Sequence, residues 1–136
     1  MLTKNGKLCL VNATSKSYKL LTGEMGNVQG SNIRNAVIKC GTGTTPPSVD
    51  DYCLETPIDS LTQVSTSYTM NNYYEDNFLE TITTTLQNNT SEDITVNEIG
   101  AVGSTGATSA LIARDVLSTP VVITAGSQKT FTIQIG

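Results

Sequence analysis

The chain has 136 residues, 38% of them hydrophobic and 15% charged, with a formal net charge of −4. That balance fits one compact domain that can stand on packing alone, without a metal or disulfides. Histidine is absent, which removes the commonest general base and the commonest zinc ligand, and eight Lys and Arg scattered among twelve Asp and Glu form no basic stripe for nucleic acid.

No apolar run reaches the roughly 18–20 residues that span a bilayer. Asn5, Gly6 and Lys7 break the opening segment where an export signal needs an unbroken apolar stretch. The expectation is a soluble chain made in the cytoplasm, with neither nucleic acid nor membrane as partner. Cys9, Cys40 and Cys53 are odd in number and contain no C-x-x-C pair, so they read as free thiols used as small apolar side chains. A Cys40–Cys53 disulfide is the alternative, disfavoured by a reducing compartment.

Thr, Val and Ile dominate while Gly and Asn punctuate, which predicts strands. Lys7–Val11 alternates as a short strand, Thr14–Leu21 has the signals for one or two helical turns, and the glycines between Gly23 and Ser31 mark a loop. Ala36–Ile38 reads as a buried strand ending in a turn at Gly41 and Gly43. Pro46 and Pro47 forbid a central strand, and Ser48 with Asp51 three positions on resembles a capping box, predicting a helical turn that buries Tyr52 and Leu54. Ser65–Met70 and Phe78–Leu86 alternate, the latter with Phe78, Ile82 and Leu86 on one face, and Asn71–Asn77 joins them. Ile94–Ile99 is the next strand, with Ile94 and Val96 inward. Gly100–Ser109 reads as a loop, Ala110–Val116 and Val121–Ile123 as two strands, Ala125-Gly126 as a turn, and Lys129–Ile135 as the last strand. Seven or eight short strands spaced by turns predict an all-β fold: one antiparallel β-sandwich, jelly-roll or immunoglobulin-like, with one or two short helical turns. The single domain covers residues 1–136, with 1–30 as an N-terminal segment available for attachment.

Motifs for chemistry fail one by one. Gly41–Thr45 is followed by neither the G-K-[ST] of a phosphate loop nor the third glycine of a dinucleotide loop. Asp50-Asp51 and Glu92-Asp93 lack the calcium-loop pattern, Ser15-Lys16 is the nearest approach to an activated nucleophile, and the sequons at Asn12, Asn88 and Asn89 bear on function only in a secreted eukaryotic protein. No enzyme, cofactor or metal is expected. Arg114-Asp115, inside an apolar strand, reads as a partly buried ion pair or an intersubunit one, and Tyr73-Tyr74 is the sole aromatic pair that looks exposed, a candidate interaction site.

Two stretches carry a resemblance. Ile38–Leu54 (IKCGTGTTPPSVDDYCL), and Leu86–Gly100 (LQNNTSEDITVNEIG) continued by Leu111–Leu117 (LIARDVL), Thr119-Pro120 and Ala125–Ile135, are similar to segments of small virion structural proteins of tailed bacteriophages. The resemblance implies a β-sandwich that works in a particle as a decoration, fibre-base or adaptor subunit on the exterior of the capsid or tail. Its implied partners are other virion proteins, further copies of itself and a host surface. It implies structural roles for Gly41, Gly43 and Gly100, for Asp50–Leu54, and for Arg114 and Asp115, and it brings no catalytic residue. The alternative is a non-catalytic module that recognises host glycan or protein outside a particle.

Overall fold

The structure is a computed structural model that describes residues 1, 32–71, 79–104 and 109–135. Every regular element among them is a strand: β1 (Asn32–Gly41), β2 (Leu61–Asn71), β3 (Leu79–Asn88), β4 (Ile94–Ser104), β5 (Ser109–Ile123) and β6 (Gln128–Ile135). They form two antiparallel three-stranded sheets, ordered β1-β4-β5 and β2-β3-β6. Alternation explains the packing. Ala36, Ile38 and Cys40 of β1 and Val96, Ile99 and Ala101 of β4 meet Ile82 and Leu86 of β3 and Phe131 and Ile135 of β6 in one buried core. The expected all-β sandwich is the observed architecture.

The outward edge of β1 is covered in its second half and just beyond, from Ala36 to Thr42. Tyr68 Oη donates to Ala36 O (2.6 Å), the Ile38 amide donates to Thr84 Oγ1 (3.0 Å), the Ile58 amide to Cys40 O (2.9 Å) and the Thr42 amide to Thr56 O (2.9 Å). Along that half the edge groups are occupied and cannot template a foreign strand. At one end of the sandwich Asn88 knits three crossings together. Its Nδ2 donates to Glu92 O (2.7 Å) and Ile123 O (2.9 Å), and its Oδ1 accepts from the Thr90 amide (2.9 Å) and Thr90 Oγ1 (2.6 Å). Asn88 is fully buried, so that sequon offers no acceptor for a sugar.

The second sheet turns an uncharged face outward. Cross-strand register lines up Ser65, Thr85 and Thr130, then Ser67, Thr83 and Thr132, then Thr69, Thr81 and Gln134. The hydroxyls of Thr85 and Thr130 lie 2.8 Å apart and those of Thr83 and Thr132 3.2 Å apart. Such cross-strand threonine pairs stabilise a sheet by several tenths of a kcal/mol each, roughly 0.2–1 kcal/mol.

Several expectations need correction. Residues 48–52 form no helix: Ser48–Asp51 closes as one hydrogen-bonded turn, with the Asp51 amide on Ser48 O (3.2 Å), and of the capping exchange only the Ser48 amide on Asp51 Oδ2 (2.9 Å) is made, Ser48 Oγ accepting the Asp50 amide instead (3.2 Å). The chain then bends at Cys53, Glu55 and Thr56, with Leu54 buried and the Glu55 amide on Glu98 of the sheet beneath. Tyr52 is 79% exposed while Leu54 is buried. Gly100 is no turn, for β4 continues through it to Ser104. Ala110–Val116 and Val121–Ile123 belong to one strand, β5, in which Val116 and Val121 pair on either side of the Asn97 irregularity and Pro120 sits in the bulge. Cys40 and Cys53 are free thiols, buried and exposed respectively. The predicted elements at Lys7–Val11, Thr14–Leu21 and Gly23–Ser31, together with Cys9, Asn12, Phe78, Tyr73 and Tyr74, lie outside the described residues.

Candidate functional site

Between β1 and β2 the chain crosses the outer face of the first sheet as a strap, residues 42–60. Alternation along β4 sends Ile99 and Ala101 into the core and Glu98 and Gly100 toward this outer face, where the strap covers them. Glu98 is 0% exposed. Its carboxylate is saturated: Oε1 accepts the amides of Thr56 (2.8 Å) and Gly43 (3.2 Å), and Oε2 accepts the Glu55 amide (3.1 Å) and Arg114 Nε (2.7 Å). One side chain from the sheet thus holds both limbs of the strap.

Arg114, 3% exposed, comes from β5, where it pairs with Gly100 of β4. Besides Glu98 it reaches Asp51 Oδ2 through Nη1 (2.9 Å), and Nη2 donates to Thr45 O (3.1 Å) and Glu55 Oε2 (3.4 Å). A planar guanidinium with its donors fixed in a fork suits this four-way contact in a way that a lysine ammonium does not. A buried charge is tolerated only when paired and hydrogen-bonded, and both members of this pair meet that condition.

The electrostatics follow the contacts. Burial pushes the Glu98 carboxyl up, but the Thr56 amide, the Arg114 guanidinium and the Glu55 amide outweigh it and hold it below the usual carboxylate range. Asp51 is held low by the Ser48 amide and then by Arg114, and Glu55 by the hydroxyl and amide of Thr45. Burial pulls Arg114 down, and its carboxylate partners more than offset that.

Two glycines make room for this arrangement. A Cβ on Gly41 would run into the Glu98 side chain and within 2.6 Å of Thr56 O, and one on Gly100 would lie 2.8 Å from both Leu54 Cδ2 and Leu111 Cδ1. Their role is close approach, not the positive φ of a turn, which among the described glycines belongs to Gly126. Gly43 likewise sits against Glu98 and Glu55, while Pro46 and Pro47 stiffen the strap between Thr45 and Ser48, both of which are hydrogen-bonded.

The sequence suggests an ion pair of Arg114 with Asp115; the structure separates them. Adjacent strand residues point to opposite faces, and Asp115 is exposed, accepting the Val116 amide at 3.0 Å. Glu98, the true partner, falls within the resembling stretch as the first residue of Glu98-Ile99-Gly100, which the resemblance marks as the end of a strand and not as an ion-pair partner; its other signal in the sequence is an acid between Val96 and Ile99 in an apolar strand. Asp93 accepts the Ala125 amide (3.0 Å) in an exposed turn. Above the cluster an open cleft of about 340 Å³ is lined by Thr45, Asp50, Tyr52, Glu55 and Arg114, among others. Among the described residues no group of three or more Cys, Asp or Glu is placed to hold a metal ion. With all its lone pairs taken by donors, Glu98 is not available as a base; the arrangement fastens backbone to sheet.

Comparison with protein-family models, with curated proteins and with solved structures finds no match to this chain.

Proposed function

We propose that this protein is a structural subunit of a bacteriophage particle, an accessory component on the exterior of the capsid or tail that acts by protein–protein assembly. The observation that carries the reading is a convergence. The two stretches similar to phage virion proteins are distant in sequence, yet they supply the two halves of one cluster: Gly41, Gly43, Asp51 and Leu54 from the first, and Glu98, Gly100, Leu111 and Arg114 from the second. The residues clasping the strap thus fall within the stretches that carry the resemblance, and the cluster directs its charges to backbone amides and ion pairs.

The outer surfaces suit repeated contact. The hydroxyl-bearing face of β2-β3-β6 presents no charge that a neighbour must neutralise, and β2 and β6 are the outer strands of their sheet. In a symmetric array many weak contacts of this kind sum through avidity. The test is quantitative mass spectrometry of purified particles: a fixed copy number relative to the major capsid or tail protein supports the reading. Intact particles without the chain, together with a free form that binds host glycan or protein, would replace it with the surface-binding alternative.

A further inference from the structure

We propose that β6 carries a self-recognition edge, along which a second copy of this chain adds its own β6 antiparallel and joins the two β2-β3-β6 sheets into one. This pairing rests on the reading of the chain as a protein that works by assembly, and gives that assembly a surface and a partner.

The backbone decides which groups are offered. The Asn88 amide donates to Ser127 O (2.9 Å), and β3 pairs with β6 in one unbroken register that continues from this contact, Gln87 with Gln128 through to Glu80 with Ile135. Hydrogen-bonded and non-hydrogen-bonded pairs alternate along an antiparallel ladder, so Lys129, Phe131, Ile133 and Ile135 turn their amides and carbonyls to β3. Gln128, Thr130, Thr132 and Gln134 turn theirs outward, and among the described residues nothing bonds to those backbone groups.

The other sheet edges are blunted. β1 is covered from Ala36 to Thr42, β2 bulges between Gln63 and Ser65, and β5 holds Pro120 and takes Met1 at Arg114. β6 has neither proline nor bulge, and its one charge is Lys129. A regular open edge of this kind is a template for a further strand.

Register and charge select a second copy. With the two-fold axis at Phe131, Thr130 meets the partner's Thr132 and Gln128 meets the partner's Gln134, so every outward group is bonded and the threonine face runs on across the joint. The two lysines then sit four residues apart along the ladder, about 13 Å, beyond the screening length of about 8 Å. The partner's Lys129 falls opposite Ile133, which lines a cleft of about 240 Å³ between β5 and β6 together with Ile99, Ala113 and Asp115. Asp115 pairs in register with core-facing Ile99 and is exposed at that rim. Neither it nor Lys129 is in an ion pair among the described residues. A lysine on the core side of an edge strand opposes foreign strands, whereas a second copy supplies it with a carboxylate.

Light scattering across a dilution series of the full chain tests the pairing: the parent should be a dimer, twice 14.4 kDa. Thr132→Pro deletes an outward amide while sparing the β3 ladder and should abolish the dimer, with protection of the Ile82 amide reporting an intact core. Asp115→Lys should weaken the dimer about tenfold or more, and adding Lys129→Asp should restore it. In the parent, exchange at the Thr130 and Thr132 amides should slow with rising concentration while the Phe131 amide stays protected throughout. A monomer at all concentrations, a dimer unmoved by Thr132→Pro, or charge reversal without rescue would overturn the proposal. The particle reading fails separately: a monomeric chain counted in particles removes the β6 pairing alone, and a β6 dimer absent from particles removes the particle reading alone.

Discussion

Glu98 and Arg114, sixteen residues apart in sequence, meet diagonally across the β4–β5 ladder with Oε2 and Nε 2.7 Å apart, and both are almost completely removed from solvent. The pair would be costly in isolation, because desolvating two charges consumes most of their mutual attraction. What makes it tenable is the strap, which brings three backbone amides to one member and two further carboxylates to the other. The strap is held by the pair, and the pair is satisfied by the strap.

Removing the cation should therefore cost more than removing the acid's charge. Arg114→Met leaves Glu98 buried against amides with no counter-charge, and the expected loss is about 3–5 kcal/mol. Glu98→Gln keeps one acceptor but turns an NH2 group toward donors, with an expected loss of about 1–3 kcal/mol. Urea unfolding of the two variants, read as midpoints at constant slope, measures the order.

Stability should fall on acidification. Glu98, Glu55 and Asp51 all have carboxyls held below their ordinary values of 4.5, 4.5 and 3.8. A carboxyl that binds protons less readily when folded stabilises the fold fully above its unfolded value and loses that contribution as pH drops through the lower folded value. Arg114, shifted further upward by its carboxylate partners, adds nothing to this window. Thermal unfolding between pH 7 and pH 3 should show a melting temperature declining below about pH 4.5, with a shallower acid limb in Arg114→Met. A flat profile in the parent chain would mean the carboxylates are not engaged as described.

Gly100 is a fitted contact between strap and sheet. Gly100→Ala pushes a methyl against Leu54 and Leu111, with an expected cost of about 1–3 kcal/mol. Leu54→Ala alone leaves a cavity, yet the two changes together should cost less than their sum, because the new methyl occupies part of the vacated space. A double-mutant cycle measures that coupling.

The two described thiols should differ sharply. Burial pushes the Cys40 thiol up to about 12, whereas Cys53 is exposed, and thiolate is the reacting form. In a Cys9→Ser background a thiol reagent at pH 8 should modify one cysteine in the native protein and the second only on unfolding. Rapid modification of both without denaturant would contradict the placement of Cys40 in the core.

The strands are legible in the sequence because their signal is local. Alternation in β3 and β6 puts Ile82, Leu86, Phe131 and Ile135 inward, and they are inward. The strap is legible only in part: Pro46 and Pro47 rule out a central strand, and Ser48 and Asp51 do pair, but the helix that a capping box suggests is prevented by the pull of Leu54 toward Gly100. Tyr52 reads as buried only because the expected helical turn would turn it inward; without that turn it stays exposed while Leu54 is buried. The ion pair is misread because Arg114 and Asp115 are adjacent in sequence, while in a strand adjacency places side chains on opposite faces and the partner comes from the neighbouring strand.

Hydrogen exchange at the Thr56 and Ile58 amides, compared between the parent chain and Arg114→Met, tests most directly that one buried ion pair holds the strap to the sheet. Strong protection of both amides is expected in the parent and a loss of about a hundredfold or more in the variant, with the Ile82 amide of β3 slowed nearly as much as before. Equal protection of Thr56 and Ile58 in the two proteins would contradict it.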